Sequence, residues 1–461
     1  MASKSTKSTK STKSSGAAEI STVRKQRSLR PTLGGISVAG YKSLVNKQRI
    51  EIRPLTILAG ANSGGKSSIM QPVLLLKQTL DAPYDPGSLL LGGSNVRLTS
   101  AAQLLSKKSG SLAIKEFSVE FEIDSRKIEL CFRHVPDKGL DIFSNTVSDE
   151  GIEVVITSDA GDLAALQKKV EKLGMRWPSE MYKRGSLEVV RDRSFLNVEL
   201  VMDNKGFRLP ILNPGEGLIE MIGKLIHVPG LRGNPERDYR TTAVGDSFPG
   251  TFEVYVASVI KHWQSSDNSK LSQLGIHLEN LGLTWKVKAE QRDETQVELK
   301  VGRLPHSARG GARDLVSIAD VGFGVSQTLP VLVALLAAKP GQIVYIEQPE
   351  IHLHPGAQRA LAEIFAEAAK RGVIVIVETH SALLLRGIQT LVAKNELAQD
   401  LVKLHWFQRD KSGITSVISA DLDDTGAFGD WPEDFDDVEL TLDNAYLSAA
   451  EAKIFEKSSK A

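Results

Sequence analysis

Cysteine is almost absent from this chain of 461 residues, which contains only Cys131. One thiol cannot form an internal disulfide and is too few for a cysteine-built zinc site. Long apolar runs are also missing, since no stretch reaches the roughly 18 residues that a membrane-spanning helix needs. The composition, with 41% hydrophobic, 25% charged and 6% aromatic residues, is globular. The sequence therefore predicts a soluble protein of the reducing cytoplasm, with no membrane partner.

The net charge is small, but charge of one sign is concentrated near each end of the chain. The net charge is +1, yet residues 1 to 30 contain eight Lys and Arg side chains and one Glu. Their Ser-Thr-Lys units have no apolar stretch to build a core, which predicts a disordered basic tail over residues 1–33. Nine carboxylates and no basic residue lie between Asp421 and Glu439. We interpret this segment as a solvated or partner-facing acidic strip.

The sequence has one strong phosphate-binding motif. GANSGGKS, from Gly60 to Ser67, matches GxxxxGK[ST] and lies between an apolar strand (49–60) and a helix (66–80). Pro72 is expected to bend this helix unless its first turns absorb the missing N–H. Its glycines let backbone N–H groups surround a triphosphate, Lys66 would neutralise phosphate oxygens, and Ser67 would offer its hydroxyl to Mg²⁺. The expected nucleotide contacts in this segment are Gly60, Asn62, Ser63, Gly64, Gly65, Lys66, Ser67 and Ser68.

A second segment ends an apolar strand with a carboxylate. IVYIEQPEIHLHP runs from Ile343 to Pro355, and ligands bind where parallel strands end. Glu347 is therefore predicted to hold, from the neighbouring strand, the Mg²⁺ that Ser67 contacts.

The remaining sequence divides into two patterns. Alternating apolar residues predict hairpins at 117–132, 196–211 and 285–301, with one amphipathic helix at 162–173. From about residue 326, helices (326–338, 357–370, 382–391) alternate with buried strands (343–346, 373–377), which indicates a parallel sheet. No internal repeat of 20 to 50 residues is visible outside the tail.

Together with DVGFGVSQ (320–327) and VETHS (377–381), these motifs resemble the ATP-binding-cassette branch of P-loop ATPases. Within it, the chain resembles the stand-alone prokaryotic anti-phage ATPases related to the overcoming-lysogenisation-defect proteins. The resemblance implies a cassette-type α/β ATPase head, a mixed or parallel sheet flanked by helices, with a hairpin-rich insertion and a small C-terminal extension. The predicted segments are the tail 1–33, the ATPase halves 34–110 and 311–400, the insertion 111–310 and the extension 401–461.

The resemblance also implies roles for individual residues. Gly322, Gly324, Ser326 and Gln327 stand where the cassette signature grips the γ-phosphate of ATP held by another subunit, which requires a head-to-tail dimer or a higher homo-oligomer. His380 matches the switch histidine, His354 the D-loop aspartate, and Gln103 the Q-loop glutamine. We interpret His352 and His354 as packing residues at the subunit seam rather than metal ligands, because no third ligand is suitably spaced.

One position departs from the cassette pattern. Most cassettes have Glu directly after the Mg²⁺ carboxylate, whereas this chain has Gln348, and a carboxylate returns only at Glu350. Either Glu350 acts as the base, or Gln348 orients the water as a glutamine does in some GTPases. Both alternatives predict slow turnover.

Three functions follow as hypotheses. The first is an ATP- and Mg²⁺-dependent ATPase of anti-phage defence that controls a separate effector, expected to be a nuclease, with DNA or a phage protein as the trigger. The second is a repair-type ATPase that clamps DNA through the tail and Arg232, Arg237 and Arg240; salt-dependent DNA binding would favour it. The third is a nuclease using Asp421 and Asp423, which requires Mg²⁺-dependent cleavage by the purified protein.

Overall fold

The computed structural model describes residues 32–107, 114–136, 139–159, 166–169, 185–202, 207–304, 314–429 and 444–451. The basic tail to residue 31 and the acidic strip from Asp430 onward lie outside these residues. Of the helix expected at 162–173, the described residues are 166–169, and they are helical. No helix in the described ranges is both long and apolar enough to cross a membrane.

A mixed six-stranded sheet forms the centre, in the order β11-β16-β17-β3-β18-β19. All neighbours in it are parallel except the last pair. Its strands are β3 (Leu55–Gly60), β11 (Ile226–Val228), β16 (Ile343–Glu347), β17 (Ile374–Glu378), β18 (Val402–Arg409) and β19 (Thr415–Ala420). The predicted α/β class with a parallel sheet is confirmed. The extension expected after residue 400 supplies two of these strands, one of them beside the phosphate-loop strand β3.

Side chains along the central strands point alternately to the two faces of the sheet, and each face contributes to a separate hydrophobic core. Leu55 and Ile57 of β3 lie in one core, and Leu58 lies in the other. Five helices pack on the first face: α3 (Val256–Ser266), α4 (Asn268–Asn280), α5 (Phe323–Ala337), α6 (Pro355–Lys370) and α7 (Ala382–Ala393). The second face carries α1 (Lys66–Asp81) and α2 (Leu218–Gly223). The sheet is therefore buried on both faces, as parallel strands require.

Three further sheets accompany the central one. An antiparallel sheet has the order β2-β1-β4-β5-β6-β7, from β1 (Leu33–Ala39), β2 (Gln48–Glu51), β4 (Glu116–Ile123), β5 (Arg126–Val135), β6 (Gly139–Asp149) and β7 (Ile152–Thr157). A second contains β8 (Gly185–Asp192), β9 (Phe195–Met202) and β10 (Phe207–Leu212). The third contains β12 (Tyr239–Arg240), β13 (Val287–Gln291), β14 (Gln296–Gly302) and β15 (Leu315–Ser317). The three predicted hairpins are confirmed as β4–β5, β9–β10 and β13–β14.

Two expectations about local structure are wrong. The strand predicted at 49–60 is two strands, β2 and β3, which join different sheets. A turn separates them, in which the Arg53 N–H donates to the Thr56 hydroxyl and this hydroxyl donates to the Arg53 carbonyl oxygen. Pro54, within the turn, has no N–H with which to continue the hydrogen bonding of a strand. The stretch 111–310 contains more than hairpins and one short helix, because α3 and α4 lie within it. Its β4 and β11 pair with β1 and β16, so this stretch completes sheets that the flanking segments begin.

Candidate functional site

The phosphate loop joins the end of β3 to the start of α1, as the motif predicts. Gly65 has φ 100°, and a Cβ there would lie 2.6 Å from Thr415 Oγ1. A Cβ on Gly60 would lie 2.3 Å from the Phe407 carbonyl oxygen of β18. Both distances are far below contact, so only glycine fits at these positions.

A cavity of about 750 Å³ opens above this loop. We call it the phosphate-loop cavity. Its lining includes Asn62, Ser63, Gly64, Gly65, Lys66, Ser67, Ser68, Gln103, Gln348, Glu378 and His380. It extends to the turn between β18 and β19, where Arg409 and Ser412 line it. Gln103, the Q-loop candidate, lies at the cavity with its amide bonded to Thr99.

Lys66 lies at the floor of the cavity. Its Nζ donates to the carbonyl oxygens of Gly60 (3.0 Å) and Ala61 (2.9 Å) and lies 3.5 Å from His380 Nδ1. Burial lowers the pKa of the Lys66 amine, although the nearby Glu378 and Glu350 carboxylates act in the opposite direction. Burial and the Lys66 charge also lower the pKa of His380. The lowered pKa keeps the His380 imidazole neutral at neutral pH, beside the Lys66 side chain.

The carboxylate next to Ser67 is Glu378, not the expected Glu347. Ser67 Oγ donates to Glu378 Oε1 at 2.9 Å, and the Tyr345 hydroxyl donates to Glu378 Oε2 at 3.0 Å. The expectation that Glu347 lies on the neighbouring strand is wrong, because β17 lies between β16 and β3. Burial and the charge of Glu347 raise the pKa of Glu378.

Glu347 is held by β11 and by the segment that follows it. Its two carboxylate oxygens accept from His227 Nε2 (3.1 Å) and from the Gly230 N–H (3.0 Å). His227 stacks on Tyr345, and its other ring nitrogen lies 3.0 Å from Asn95 Nδ2, which assigns the proton to Nε2. Burial opposes ionisation of Glu347, but these hydrogen bonds and the charge of Arg232 outweigh it and lower the pKa of Glu347.

The two candidates for handling the hydrolytic water are placed differently. Gln348 lines the cavity, and its backbone has φ 45° and donates to the Glu378 carbonyl oxygen at 2.7 Å. Glu350 is not among the lining residues; its Oε1 accepts from the His380 N–H at 2.7 Å. Glu350 therefore contacts the backbone of His380, whereas Gln348 faces the phosphate-loop cavity.

The signature segment begins α5 at the surface. Gly322 is exposed with open space around it, Phe323 is 49% exposed, and the Ser326 hydroxyl donates to the Phe323 carbonyl. Gln327 is the exception in this set. It is buried, and its amide donates to the carbonyl oxygens of Arg232 and Gly233, so its side chain is engaged within the subunit.

The histidines near the signature make contacts within the chain. The His352 ring lies 5.8 Å from the Phe323 ring. His354 caps α6, because its Nδ1 accepts from the Gly356 N–H at 3.3 Å. No group of three or more His, Cys, Asp or Glu side chains suited to a metal occurs in the described ranges.

Four of the residues expected for the rival functions form contacts within the chain, whereas Arg240 is exposed. Arg232 is buried and donates to the carbonyl oxygens of Gln327, Glu347 and Gln348. Arg237 forms a two-pronged ion pair with Asp320. Asp421 pairs with Arg53 and Lys403, and Asp423 accepts from Thr425 and Ala427 in a local turn. Of these four residues, the two arginines bind partners within the chain, and the two aspartates do not form a metal site in the described ranges.

Sequence comparison matches residues 55–386 to the family described as "AAA domain, putative AbiEii toxin, Type IV TA system". The chain belongs to this family. The match begins at β3 and ends in α7, so it includes the phosphate loop, the signature segment and both carboxylate strands. The family assigns the chain to the P-loop ATPases. No curated protein matches the chain by sequence.

Several solved structures similar to this ATPase are heads of SMC proteins. One is an SMC head bound to the C-winged-helix domain of ScpA, with a TM-score of 0.45 and 14% identity over 85% of this chain and 98% of that chain. Another is the SMC head domain from Thermotoga maritima, with a TM-score of 0.39 and 10% identity over 84% and 98%. A third is the SMC head domain with an extended coiled coil from Pyrococcus furiosus. Its TM-score is 0.42 and its identity 12%, over 85% of this chain and 97% of that chain. Similarity at this level concerns the fold only.

Sequence reasoning missed three residues that shape this site. Glu378 stands in the quoted motif VETHS, but only the strand order places it beside Ser67. Tyr345 lies inside a strand that was predicted as buried and apolar, and no role was predicted for His227. A polar side chain within an apolar strand, as in Ile343–Glu347 and Ile226–Val228, was the available signal.

Proposed function

We propose that this protein binds ATP in the phosphate-loop cavity and hydrolyses it slowly. The single observation that supports this most strongly is the Lys66 amine at the cavity floor, beside the Ser67–Glu378 hydrogen bond and the N-terminus of α1. A lysine, a helix N-terminus and a glycine loop without side chains together suit a triphosphate. The donors fit the ligand that the family implies.

Magnesium is proposed as the metal of this site. Ser67 offers a hydroxyl, and Glu347 and Glu378 place two carboxylates at the same edge of the sheet. Mg²⁺ usually takes one or two protein oxygens and draws its other ligands from phosphates and water. The donor set at the cavity fits this pattern, and the metal would neutralise charge that develops on the phosphates.

Slow hydrolysis follows from the residue that faces the nucleotide position. Gln348 lines the cavity but cannot accept a proton from water, so it would orient the attacking water. Glu350 is not a lining residue of the cavity, and its Oε1 accepts from the His380 N–H, so we propose no direct contact between Glu350 and the attacking water. The ATP-bound form would therefore be long-lived, as is expected of a molecular switch.

Assembly is proposed to complete the site from a second subunit. Gly322, Phe323 and Ser326 begin a helix at the surface and have no role in the subunit's own cavity. In a head-to-tail dimer or higher homo-oligomer, this segment would close the open face of the nucleotide. ATP would then favour the closed assembly and ADP would release it, because only ATP offers the γ-phosphate contact.

The biological role that we propose is cytoplasmic anti-phage defence, in which the ATPase senses DNA or a phage protein and controls a separate effector, expected to be a nuclease. Support comes from the family description, which names a toxin of a toxin–antitoxin system. The engagement of Asp421 and Asp423 in ion pairs and a turn also favours an effector on another chain.

Purification of the native complex from cells tests the role. We expect the wild-type protein to copurify with a second polypeptide in an ATP-dependent manner, and a Lys66→Ala variant to lose or alter that association. Mg²⁺-dependent nucleic-acid cleavage by the purified ATPase alone would contradict the separate effector. Salt-dependent DNA binding by the ATPase alone would favour the DNA clamp instead.

A further inference from the structure

A buried arginine joins the signature helix to the wall of the phosphate-loop cavity. Arg232 follows β11 and is 7% exposed. Its Nη1 donates to the Gln327 carbonyl oxygen of α5 at 2.6 Å. Its Nη2 donates to the carbonyl oxygens of Glu347 (3.1 Å) and Gln348 (2.9 Å), at the end of β16. One guanidinium group therefore bridges two segments that are far apart in the chain.

The connection to α5 is made in both directions. The Gln327 side-chain amide donates back to the carbonyl oxygens of Arg232 (3.0 Å) and Gly233 (3.1 Å). Gln327 is buried one helical turn after Phe323, which is exposed at the start of α5. A displacement of the first turn of α5 would therefore also displace Arg232.

At its other end, the bridge holds a residue in an unusual backbone conformation. Gln348 lines the cavity and has φ 45°, in the left-handed region that residues with a side chain rarely adopt. Its N–H donates to the Glu378 carbonyl oxygen at 2.7 Å, and its own carbonyl oxygen accepts from Arg232. Such a conformation persists only where the surrounding structure determines it. The direction of the Gln348 side chain thus depends on Arg232.

Arg232 is a costly residue if its purpose is only to stabilise the fold. Burial lowers the pKa of Arg232 to about 10, so its side chain is charged at neutral pH. In the part of the chain that the structure describes, its buried Nε has no hydrogen-bond partner. A buried charge with an unpaired donor costs free energy. An arrangement of the bridge that pairs Nε would recover this cost, so the observed arrangement need not be the one of lowest energy in an assembly.

Space for such a rearrangement lies beside the bridge. A second cavity, of about 620 Å³, is lined by Arg232 and Gly233 and by Ser326 and Leu329 of α5. The bridge is therefore not packed tightly on this side, and α5 and Arg232 can shift together without displacing a core.

We propose that Arg232 is a positioning residue that holds Gln348 in its cavity-lining conformation and links this conformation to the first turn of α5. Contact of the signature segment with a second subunit would then change how water is oriented in the subunit's own cavity, which couples the sites of an assembly. This inference rests on the proposed function, because Gln348 acts on a water molecule only where ATP is hydrolysed.

The test compares turnover with nucleotide affinity in Arg232→Lys. Lysine keeps the positive charge, but a single amine cannot replace the planar fork that reaches α5 and β16 together. At saturating ATP, kcat should fall on the order of 10-fold. The dissociation constant for AMP-PNP, a non-hydrolysable ATP analogue, and the number of AMP-PNP molecules bound per subunit should stay near the wild-type values in calorimetry. An unchanged kcat, or a loss of kcat that matches a loss of binding sites, would overturn the inference.

Double variants show whether Arg232 acts through its two partners. Gln348→Ala already removes the positioned side chain, so adding Arg232→Lys to it should change kcat by less than about two-fold. Gln327→Met removes the amide donor and keeps the backbone carbonyl. Alone it should lower kcat several-fold, and together with Arg232→Lys it should lower kcat by less than the product of the two separate effects. If Arg232→Lys lowers kcat by the same factor with and without Gln348, or if its effect multiplies with that of Gln327→Met, the inference fails.

Arg193→Lys is the matched control. Arg193 also donates through both terminal nitrogens to backbone carbonyl oxygens, those of Leu80 and Ala82, at the end of α1 remote from the phosphate loop. This variant should keep the wild-type kcat, and a loss as large as that of Arg232→Lys would contradict a specific role for Arg232.

Gln327→Met also decides the outcome should Arg232→Lys fail to fold. A lowered kcat with normal AMP-PNP affinity then supports the proposal, and a wild-type kcat contradicts it. Failure of the wild-type protein to bind AMP-PNP or to hydrolyse ATP would instead overturn the proposed function itself.

Discussion

Glu347 and Glu378 lie directly opposite each other at the ends of two parallel strands, yet their pKa values shift in opposite directions. Hydrogen bonds from His227 and Gly230 outweigh burial at Glu347 and lower its pKa. Burial and the adjacent charge of Glu347 raise the pKa of Glu378. Two neighbouring carboxylates with different environments usually have different roles. Here one is held by the protein and the other faces the nucleotide cavity.

Replacement of Gln348 should lower turnover without weakening ATP binding. Gln348 lines the cavity, so Gln348→Ala removes the group that orients water, and kcat should fall on the order of 100-fold. The dissociation constant for ATP should remain within a few-fold of the wild-type value. Steady-state hydrolysis and calorimetry measure the two quantities separately.

Glu350→Gln is the matched comparison for that experiment. Its side chain keeps an acceptor for the His380 N–H, so turnover should remain near the wild-type rate. A large loss of kcat in Glu350→Gln, with normal turnover in Gln348→Ala, would identify Glu350 as the base.

A site shared between subunits should be restored by mixing two inactive variants. Gly322→Arg adds bulk at an exposed position with open space, whereas at Gly324 a Cβ would already lie 3.1 Å from Leu283. In a mixed dimer of Lys66→Ala and Gly322→Arg subunits, one composite site carries both changes and the other carries none. Statistical mixing should therefore restore about a quarter of wild-type ATPase activity in a symmetric dimer. No recovery, despite confirmed mixed assembly, would show that each subunit hydrolyses ATP alone.

His405 should make the folded state sensitive to mild acid. Its ring is buried in β18 between Ser419 Oγ and the Glu51 carbonyl oxygen, and burial lowers the pKa of His405 from 6.5 to about 4. The unfolded chain binds the proton more readily, so stability is full above about pH 6.5 and falls as pH decreases toward 4. Between pH 7.5 and 5.5 this group alone should cost about 1 kcal/mol of unfolding free energy.

Urea unfolding at the two pH values checks this expectation. His405→Gln keeps a side-chain donor and removes the titration, so the loss of stability between pH 7.5 and 5.5 should shrink relative to wild type. An identical loss in both proteins would assign the acid sensitivity to other groups.

Gly65→Ala should destabilise the phosphate loop, although the substitution adds only one methyl group. Gly65 has φ 100°, where a side chain costs on the order of 1–2 kcal/mol, and its Cβ would meet Thr415 Oγ1 at 2.6 Å. We expect a lower urea midpoint and weaker nucleotide binding. Gly92→Ala, where a Cβ meets nothing within 4 Å, is the control and should leave both unchanged.

Local patterns predicted elements well where their apolar period was regular. The segments around α5, β16, α6, β17 and α7 were all expected near their observed bounds. The helix α3 was missed although Val256, Val259, Ile260 and Trp263 recur at helical spacing and are buried. That signal was present in the sequence and was overlooked.

The order of strands in the sheet could not be obtained from local patterns. Glu347 ends a strand that precedes β17 in the chain, yet β17 is the one placed beside β3. The pairing of strands depends on how helices pack over both faces of the sheet. It also joins residues more than 300 positions apart in the chain, as between β3 and β18. For the same reason the contact of Thr415 with the phosphate loop was not foreseen.

The most direct test of nucleotide binding in this cavity is calorimetry with ATP and Mg²⁺ on wild-type protein and Lys66→Ala. The variant removes the phosphate counter-charge from a loop otherwise built of backbone, so ATP affinity should fall below detection while the urea midpoint stays near wild type. Lys370→Ala, which removes an exposed lysine at the end of α6, should bind ATP normally. Unchanged ATP affinity in a folded Lys66→Ala protein would contradict the assignment of this loop as the nucleotide site.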